Sequence, residues 1–427
     1  MRFLYNIGLR LYFFLVWLAS TFNPKAKLFY NGRRGLLKRI KKEVGHEQPI
    51  IWIHCSSVGE FEQARPVIEW YKKEQPGYKI LLTFFSPSGY ELRKNYELAD
   101  WIYYMPIDTQ KNARIFVETV KPEKAIFIKY EFWYNYLNEL NCRGVQIFIV
   151  SAIFRPTQMF FKWYGAFFRR MLKCYTKIFV QDEQSQDLLL SIGIKENVFI
   201  SGDTRFDRVY QITHSSKEFP LIKRFSENHF TVVAGSTWEP DEVILLEVIK
   251  HFQNVKLILA PHEIHKERID KLVKTLGGSH KILKFSDFDK KLSCNKGSQG
   301  DMLSALDDAL VQSDVLIIDC LGILSSIYRY GQLAYIGGGF GVGIHNILEA
   351  ATYSIPVVFG PNYQKFKEAR DLVELGGAVS VEEKERLYDI LDKYVNSAGA
   401  RNEKGEICGN YVKKNLGATH KVTSNLF

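Results

Sequence analysis

The sequence predicts an α/β protein made of two doubly wound, Rossmann-type domains with a cleft between them. Three observations support this fold class. At 427 residues the chain exceeds the size of one ordinary core, and two domains of roughly 180–200 residues are expected. Short β-branched and aromatic runs alternate with amphipathic stretches, which is the rhythm of βαβ units. A polar stretch at 207–228 separates two series of such runs.

The strands are predicted from the apolar runs, and the helices from the amphipathic stretches between them, such as 60–73 and 110–119. The first series comprises 50–55 (IIWIHC), 79–84 (KILLTF), 125–129 (AIFIK), 146–150 (QIFIV) and 177–181 (KIFVQ). The second series comprises 230–234, 256–260, 315–319, 333–336 and 356–359. Ligands of such sheets bind beyond the carboxyl ends of the strands, so we expect the chemistry in those loops.

The domain boundaries follow from these two series. We expect a membrane-associated helix over 1–30, an N-terminal domain over 31–209, a C-terminal domain over 210–400 and a tail over 401–427. The polar segment 285–301 predicts a surface loop. The six cysteines are scattered without a CxxC pair, so free thiols are expected and no zinc pattern is apparent.

The N-terminal segment combines an apolar run with a basic one. Residues 11–19 (LYFFLVWLA) are apolar without a break, and Arg10 interrupts the longer apolar stretch. Residues 1–42 hold ten of the 57 Lys and Arg residues and no acidic residue, which leaves 47 basic and 47 acidic residues in the remaining chain. Such a basic collar predicts contact with an anionic membrane surface, and the neutral body argues against a nucleic-acid partner.

Four placements of this segment stay open. It is a helix lying in the membrane interface, a single span, a cleaved signal peptide or a core helix. If it spans, the Lys and Arg residues that follow place the bulk of the protein on the cytoplasmic side.

The first candidate loop, after the run at 50–55, contains Ser57-Val58-Gly59-Glu60 before a helical pattern. Ser57-x-x-Glu60 has the spacing of a capping box, in which both side chains satisfy free N–H groups at a helix start. A carboxylate at this end of a strand is equally placed to act as a general base. The helix start favours the ionised form, so burial would have to restore basicity.

Three further loops combine strand ends with glycine. Gly235-Ser236-Thr237 precedes an acidic first turn, and either phosphate binding or N-capping explains Thr237. Asp319 and Gly322 follow another predicted strand, where a simple turn is the plainer interpretation. The segment 337–343 (GGGFGVG) precedes a predicted helix opening at His345 and favours nucleotide binding. No Gly-Lys-Ser/Thr follows it, which excludes a Walker A loop, and its late position disfavours a dinucleotide fingerprint.

Taken together, these stretches resemble the 3-deoxy-manno-octulosonic acid (Kdo) transferases of lipopolysaccharide synthesis, which have the GT-B fold. The resemblance extends from the N-terminal helix to about residue 380. Segment 54–60 (HCSSVGE) is similar to the family's H-x-x-S-V-G-E signature. The other similar segments are TFFSPSG at 83–89, EFWYN at 131–135, GDTRFD at 202–207, AGST at 234–237 and GIHNILEAA at 343–351.

The resemblance implies an inverting transfer of Kdo from CMP-Kdo to the lipid A precursor, lipid IVA, on the cytoplasmic side of the inner membrane. It implies that Glu60 accepts the proton of the acceptor hydroxyl, and that Glu131 and Arg205 stabilise the transition state. It implies no metal and no other cofactor, and the candidate loops carry no acidic cluster. The implied CMP-binding residues are Ser236, Thr237, Pro261, His262, Arg268, Leu321, Gly322, Ile323, Asn346, Ile347, Leu348 and Glu349.

The chain departs from the family pattern mainly at 260–268 (APHEIHKER), which stands where P-R-H-P-E-R is usual. Ile323 replaces Glu, Ile344 replaces Gly, and Arg205 replaces Lys with a different donor geometry. Two other functions stay open: a GT-B transferase or epimerase that uses another nucleotide sugar, and a membrane-tethered binding protein without activity.

Overall fold

The computed structural model describes residues 1–215, 217–276, 280–287 and 309–426. Most of the predicted surface loop at 285–301 lies outside these residues. The chain divides into two compact units, Met1–Arg208 with Asn415–Phe427, and Val209–Lys414. The division falls at the start of the polar stretch that the sequence placed between the two series of strands.

The described part of the first unit holds a parallel sheet with helices on both faces. Its strands are β1 Ile50–Cys55, β2 Lys79–Phe84, β3 Trp101–Tyr104, β4 Lys124–Ile128, β5 Gln146–Ala152, β6 Lys177–Val180 and β7 Val198–Ile200. Its helices before the boundary are α1 Arg2–Ala19, α2 Pro24–Asn31, α3 Leu36–Glu43, α4 Val58–Glu74, α5 Pro87–Arg93, α6 Gln110–Val120, α7 Tyr134–Cys142, α8 Ala166–Leu172 and α9 Glu183–Ser191. Helix α10 Arg205–Ser215 runs across the boundary.

The strand order of the first sheet is β3-β2-β1-β4-β5-β6-β7, and neighbouring strands are parallel. The order reverses between β1 and β4, which is where ligands of doubly wound sheets bind. Strand β1 is buried along its whole length. Trp52 contributes to the core on one face and Ile53 to the core on the other, which explains the unbroken apolar run.

The second unit repeats this architecture. Its described strands are β8 Phe230–Thr237, β9 Val255–Pro261, β10 Ile282–Lys284, β11 Val315–Ile317, β12 Leu333–Ile336, β13 Val357–Phe359 and β14 Ala378–Ser380. They lie in the parallel order β10-β11-β9-β8-β12-β13-β14, so the order reverses between β8 and β12. The helices whose bounds lie within the described residues are α11 Pro220–Ser226, α12 Glu239–Ile249, α13 Lys266–Leu276, α14 Leu324–Ile327, α15 Leu348–Ala351, α16 Lys367–Leu375, α17 Lys384–Asn396 and α18 Ala398–Lys414.

The N-terminal segment forms two helices, α1 and α2, separated by a turn at 20–23. No helix in the described part of the chain is long and apolar enough to cross a membrane. Helix α1 exposes most of its large apolar side chains, including Phe3 at 75% and Trp17 at 45%. Its inner face packs on the first unit, where the Tyr5 ring contacts Tyr134 and Phe167.

The segment predicted as a tail, 401–427, is divided between the two units. Its first part lies in α18 of the second unit, and helix α19, Ala418–Thr423, returns to the first unit. Asp207 accepts hydrogen bonds from the backbone N–H groups of Gly417 and Thr419, at 2.7 and 2.6 Å. Val422 and Leu426 then join the core beneath α4.

Candidate active site

The predicted catalytic residues follow the two strands at which the first sheet reverses. Glu60 lies in the first turn of α4, just beyond β1, and Glu131 lies just beyond β4. Strands β1 and β4 are parallel neighbours, with Ile53 paired to Ile126, so their carboxyl ends meet at one edge of the sheet. Glu60 and Glu131 therefore follow neighbouring strands at one edge of the first sheet.

Glu60 forms the capping box that its spacing predicts. The backbone N–H of Ser57 donates to Glu60 Oε2 at 2.7 Å, and the Ser57 hydroxyl lies 3.0 Å from the same oxygen. Burial raises the pKa of the Glu60 carboxyl and the nearby Glu131 adds to the effect, against the lowering influence of Ser57 and Lys129. The basicity that a helix start would remove is therefore restored by burial. Capping and proton acceptance are compatible in this geometry.

Glu131 is buried and held by side chains from three parts of the first unit. Its Oε2 accepts a hydrogen bond from the indole N–H of Trp133 and lies 3.1 Å from His54 Nε2. His54 Nε2 faces this oxygen without forming a straight hydrogen bond to it. The backbone carbonyl of Glu131 accepts from the Tyr175 hydroxyl. These contacts fix both ends of the residue.

A buried chain of hydrogen bonds orients the His54 ring. Trp52 Nε1 and His54 Nδ1 both lie 2.8 Å from Thr83 Oγ1. The indole only donates, so the Thr83 oxygen accepts from Trp52, and the same hydroxyl bonds to His54 Nδ1. This second layer is typical of sites in which a carboxylate must keep one orientation.

Arg205 is fixed by Asp203 and, through it, by the helix that carries Glu60. Arg205 Nε and Nη2 lie 2.9 and 2.8 Å from Asp203 Oδ2, and Gln63 Nε2 lies 3.0 Å from both carboxylate oxygens. Burial alone would raise the pKa of Asp203, but the Arg205 guanidinium and these hydrogen bonds outweigh it and hold the pKa low. Gln63 lies one turn beyond Glu60 on α4.

Tyr130 interacts electrostatically with Glu60 and with the pair formed by Arg205 and Asp203. Burial raises the pKa of its phenol, and the charges of Glu60, Arg205 and Asp203 all act on it. Glu60 and Arg205 therefore both act on Tyr130, the residue that precedes Glu131.

In the second unit, Thr237 and Arg268 meet at Glu242. The Thr237 hydroxyl donates to Glu242 Oε1 at 3.0 Å, and Arg268 Nη2 forms a buried ion pair with Glu242 Oε2. Thr237 does not cap α12, because the cap position is Trp238, whose N–H donates to Asp241. N-capping is therefore the wrong interpretation of Thr237.

A stack of three aromatic rings lies at the ends of β8, β9 and β12. His262 stacks between Trp238, at a centroid distance of 4.8 Å, and His345, at 4.4 Å. His262 follows Pro261 at the end of β9, and its N–H donates to the Thr237 carbonyl at 2.9 Å. Two pairs of predicted donor-binding residues, Ser236 with Thr237 and Pro261 with His262, are thus adjacent at the switch point of the second sheet.

Hydrogen bonds within the glycine-rich loop and to Asp241 of α12 fix the conformation of the loop. The N–H of Gly338 donates to Asp241 Oδ2 at 2.9 Å, and those of Gly341 and Gly343 donate to the Gly338 carbonyl. Tyr335 donates to the other Asp241 oxygen at 2.9 Å, and burial raises the pKa of this carboxyl. These N–H groups are already engaged within the protein.

The helix predicted to open at His345 begins three residues later, so the predicted position is wrong. Helix α15 begins at Leu348 and has four residues, because the His345 N–H bonds back to Gly337 instead of entering a helical turn. Asn346 and Glu349 do form the expected local pair, at 2.9 Å, with Ile347 and Leu348 buried between them.

The remaining predicted donor residues lie on the turn after β11. Gly322 has a φ of +90°, a backbone conformation that favours glycine, and Leu321 is 72% exposed beside it. Ile323 precedes α14. Asp319 serves the fold, since both its oxygens accept from Ser286, at 2.8 and 2.5 Å.

Sequence reasoning did not assign roles to His54, Thr83, Gln63, Asp203 or Tyr130. His54, Thr83 and Asp203 lie inside the motifs quoted above, so these motifs contained more functional candidates than were assigned. Within the described residues, no group of three or more His, Cys, Asp or Glu side chains is placed to hold a metal. In that part of the chain, Cys55, Cys142, Cys174 and Cys408 are free thiols. The independence from metal stays a prediction.

Comparison with known families gives a match over residues 30–208 to the model described as 3-deoxy-D-manno-octulosonic-acid transferase (kdotransferase). A 3-deoxy-D-manno-octulosonic acid transferase of Rickettsia felis is 28% identical over 367 residues, which cover 84% of this chain and 74% of that protein. The Aquifex aeolicus transferase of the same name is 27% identical, over 80% of this chain and 85% of that protein. The resemblance inferred from the motifs is confirmed.

Solved structures of the same architecture include a UDP-GlcNAc 2-epimerase from Neisseria meningitidis bound to UDP-GlcNAc. It is 14% identical, with a TM-score of 0.60 over 89% of this chain and 99% of that one. MurG from Acinetobacter baumannii is 11% identical, with a TM-score of 0.50 over 88% and 98%. At these identities the likeness concerns the fold alone, and it confirms a GT-B-like pair of doubly wound sheets.

Proposed function

Because the chain belongs to the Kdo transferase family, we propose that it transfers Kdo from CMP-Kdo to the lipid A precursor, lipid IVA, with inversion at the anomeric carbon. The observation that carries the proposal is the Glu60 carboxyl, which lies at the switch point of the first sheet with a raised pKa. A single displacement needs one base at the acceptor hydroxyl and stabilisation of the departing phosphate.

In this proposal Glu60 takes the proton as the acceptor oxygen bonds to the anomeric carbon and the bond to the CMP phosphate breaks. A carboxyl whose pKa is raised by burial is a stronger base than an exposed one, which suits an alcohol as the proton donor. Glu131 and Arg205 supply fixed charges of opposite sign beside it. Their orientation is set by His54 and Asp203, so little reorganisation accompanies the reaction.

The donor side of the proposal places CMP beyond β8, β9 and the turn at Gly322. Supporting this, the predicted residues from three separate chain segments lie at the carboxyl ends of strands in one sheet. Arg268 is paired with Glu242 in this structure, so a phosphate would have to compete for it. We therefore propose that His262 and the turn at Gly322 contribute more to donor binding than Arg268 does.

The acceptor is an amphiphile, and we propose that the enzyme works on the anionic inner membrane surface, facing the cytoplasm. Two features of residues 1–42 support this: their ten basic residues with no acidic one, and the apolar side chains that α1 exposes. A groove of about 470 Å³ between α1 and the rest of the first unit is lined by apolar residues, including Phe13 and Ile107, and by basic residues, including Arg10 and Lys38.

The test is release of CMP and formation of a Kdo-bearing lipid, followed by mass spectrometry, with purified protein, CMP-Kdo, lipid IVA and a chelator. Glu60→Gln is expected to lower kcat at least about 100-fold, the low end for a general base. Glu62→Gln is the matched control, since Glu62 lies on the same helix in a half-exposed ion pair with Arg65. Glu60→Gln with wild-type kcat would remove Glu60 as the base.

Thermal shift separates this donor from other nucleotide sugars. CMP is expected to raise the melting temperature and UDP to leave it unchanged, because a ligand stabilises only the state that binds it. Stabilisation by UDP alone would point to a transferase or epimerase with a different donor.

A further inference from the structure

The first turn of α1 is bonded to the first turn of α7, although 129 residues separate them. The Tyr5 hydroxyl donates to Asp108 Oδ2 at 2.6 Å and accepts from the Tyr134 N–H at 3.3 Å. The Asn135 side-chain amide donates to Asn6 Oδ1 at 3.0 Å. The N-terminal helix therefore reaches the protein interior through polar bonds as well as apolar contacts.

Asp108 is the centre of this contact. Its Oδ2 also accepts from the N–H of Asn135, at 3.1 Å, and its Oδ1 from the N–H of Tyr136, at 3.0 Å. The carboxylate thus caps α7 from a distant point in the chain, satisfying N–H groups that a helix start leaves free. Asp108 is fully buried, which raises its pKa to about 6, so each hydrogen bond to it matters for keeping the charge there.

The turn capped by Asp108 is continuous with the loop that holds Glu131. Trp133 is the residue immediately before α7, its carbonyl accepts from the Leu137 N–H at 2.9 Å, and its indole donates to Glu131 Oε2. A shift of the first turn of α7 must therefore move the Trp133 ring and, with it, the carboxylate that it holds.

We infer that Tyr5 is a positioning residue for Glu131, acting through Asp108 and the first turn of α7. Helix α1 is then part of the machinery that orients the catalytic loop, in addition to any contact with a membrane. The inference rests on the proposed function only for the role of Glu131, because the hydrogen-bonded connection itself is independent of the reaction.

The test compares Tyr5→Phe with wild type in two measurements. The substitution keeps the ring that packs on Tyr134 and Phe167 and removes only the hydroxyl. Tyr12→Phe is the matched control, since Tyr12 is a half-exposed residue of the same helix whose ring packs edge-on against Phe29. The first measurement is hydrogen exchange in the peptide 134–142, and the second is kcat and KM for Kdo transfer.

Tyr5→Phe is expected to speed exchange of the amides in the first turn of α7 and to lower kcat roughly tenfold, with KM for CMP-Kdo within about twofold. Asp108→Asn is expected to act in the same direction and more strongly. Tyr12→Phe is expected to match wild type in both. Unchanged exchange in Tyr5→Phe, or wild-type kcat in it, would overturn the inference, as would an equal loss in Tyr12→Phe. If wild type forms no Kdo product, the proposed function fails, and the exchange data still decide whether Tyr5 orders α7.

Discussion

The imidazole of His262 stacks on that of His345, with ring centroids 4.4 Å apart and planes inclined by 23°. Trp238 Nε1 lies 3.1 Å from His345 Nε2, and since an indole only donates, that nitrogen must be the acceptor. His345 is therefore uncharged with its proton on Nδ1. Burial lowers the pKa of His345 to about 4 and also lowers that of His262.

This stack predicts a loss of stability in mild acid. A histidine whose folded pKa lies below its unfolded value of 6.5 stabilises the fold fully above pH 6.5, and that contribution is lost as the pH falls towards about 4. His345→Gln is expected to reduce the pH-dependent loss by on the order of 1 kcal/mol, because solvent screens part of the effect at a half-exposed site. Denaturant unfolding between pH 7 and 4.5 measures it.

His46→Gln, at an exposed position of the first unit, is the control for that series. A His345→Gln variant that loses as much stability in acid as wild type would show that the stack is not the titrating element.

The two carboxyl groups of the first unit predict a shift in the pH profile of the reaction. The Glu131 charge helps to raise the pKa of Glu60, so Glu131→Gln is expected to move the acid limb of kcat/KM to lower pH while lowering the rate. The sign is fixed, because removal of a neighbouring negative charge favours ionisation of Glu60. An acid limb that stays in place, or moves to higher pH, would contradict the pairing of these carboxyl groups.

The closed glycine-rich loop predicts unequal tolerance of its glycines. Gly338 has a φ of +91°, and a Cβ there would lie 2.5 Å from the Gly343 carbonyl oxygen. Gly338→Ala is expected to cost roughly 1–3 kcal/mol of stability and to weaken the thermal shift by CMP. At Gly341 a Cβ would meet its nearest atom at an ordinary 3.6 Å, so Gly341→Ala should match wild type. Equal melting temperatures for the two variants would refute this account.

The sequence predicted the central strands of both sheets and missed the edges. Each of the ten predicted runs overlaps a strand, whereas β3, β7, β10 and β14 were not predicted. Among the described strands these four lie at the ends of the two sheets. An edge strand has a neighbour on one side only and is less buried, as in β10, where all three residues are half-buried. The apolar signal that identifies a strand is correspondingly weak there.

The parts of the candidate site formed by residues close together in the sequence could be predicted, and the contacts between distant segments could not. Ser57 and Glu60 are three residues apart, so their capping geometry could be read from spacing. Asp108 caps α7, which begins about 27 residues further along the chain, and no local sequence pattern predicts such a bond. The bond from the Gly338 N–H to Asp241, nearly 100 residues earlier, could not be predicted for the same reason. Nucleotide binding at the glycine-rich loop stays a prediction.

The return of α19 to the first unit has a consequence for biosynthesis. Val422 and Leu426 fill part of the core beneath α4, and Asp207 holds the start of α19. The ribosome makes the whole of Val209–Lys414 before it reaches these residues. Until the second unit has been synthesised, the apolar surface of the first unit that Val422 and Leu426 cover stays exposed. Its final closure is a late event, and the nascent chain must be kept from aggregating during that interval.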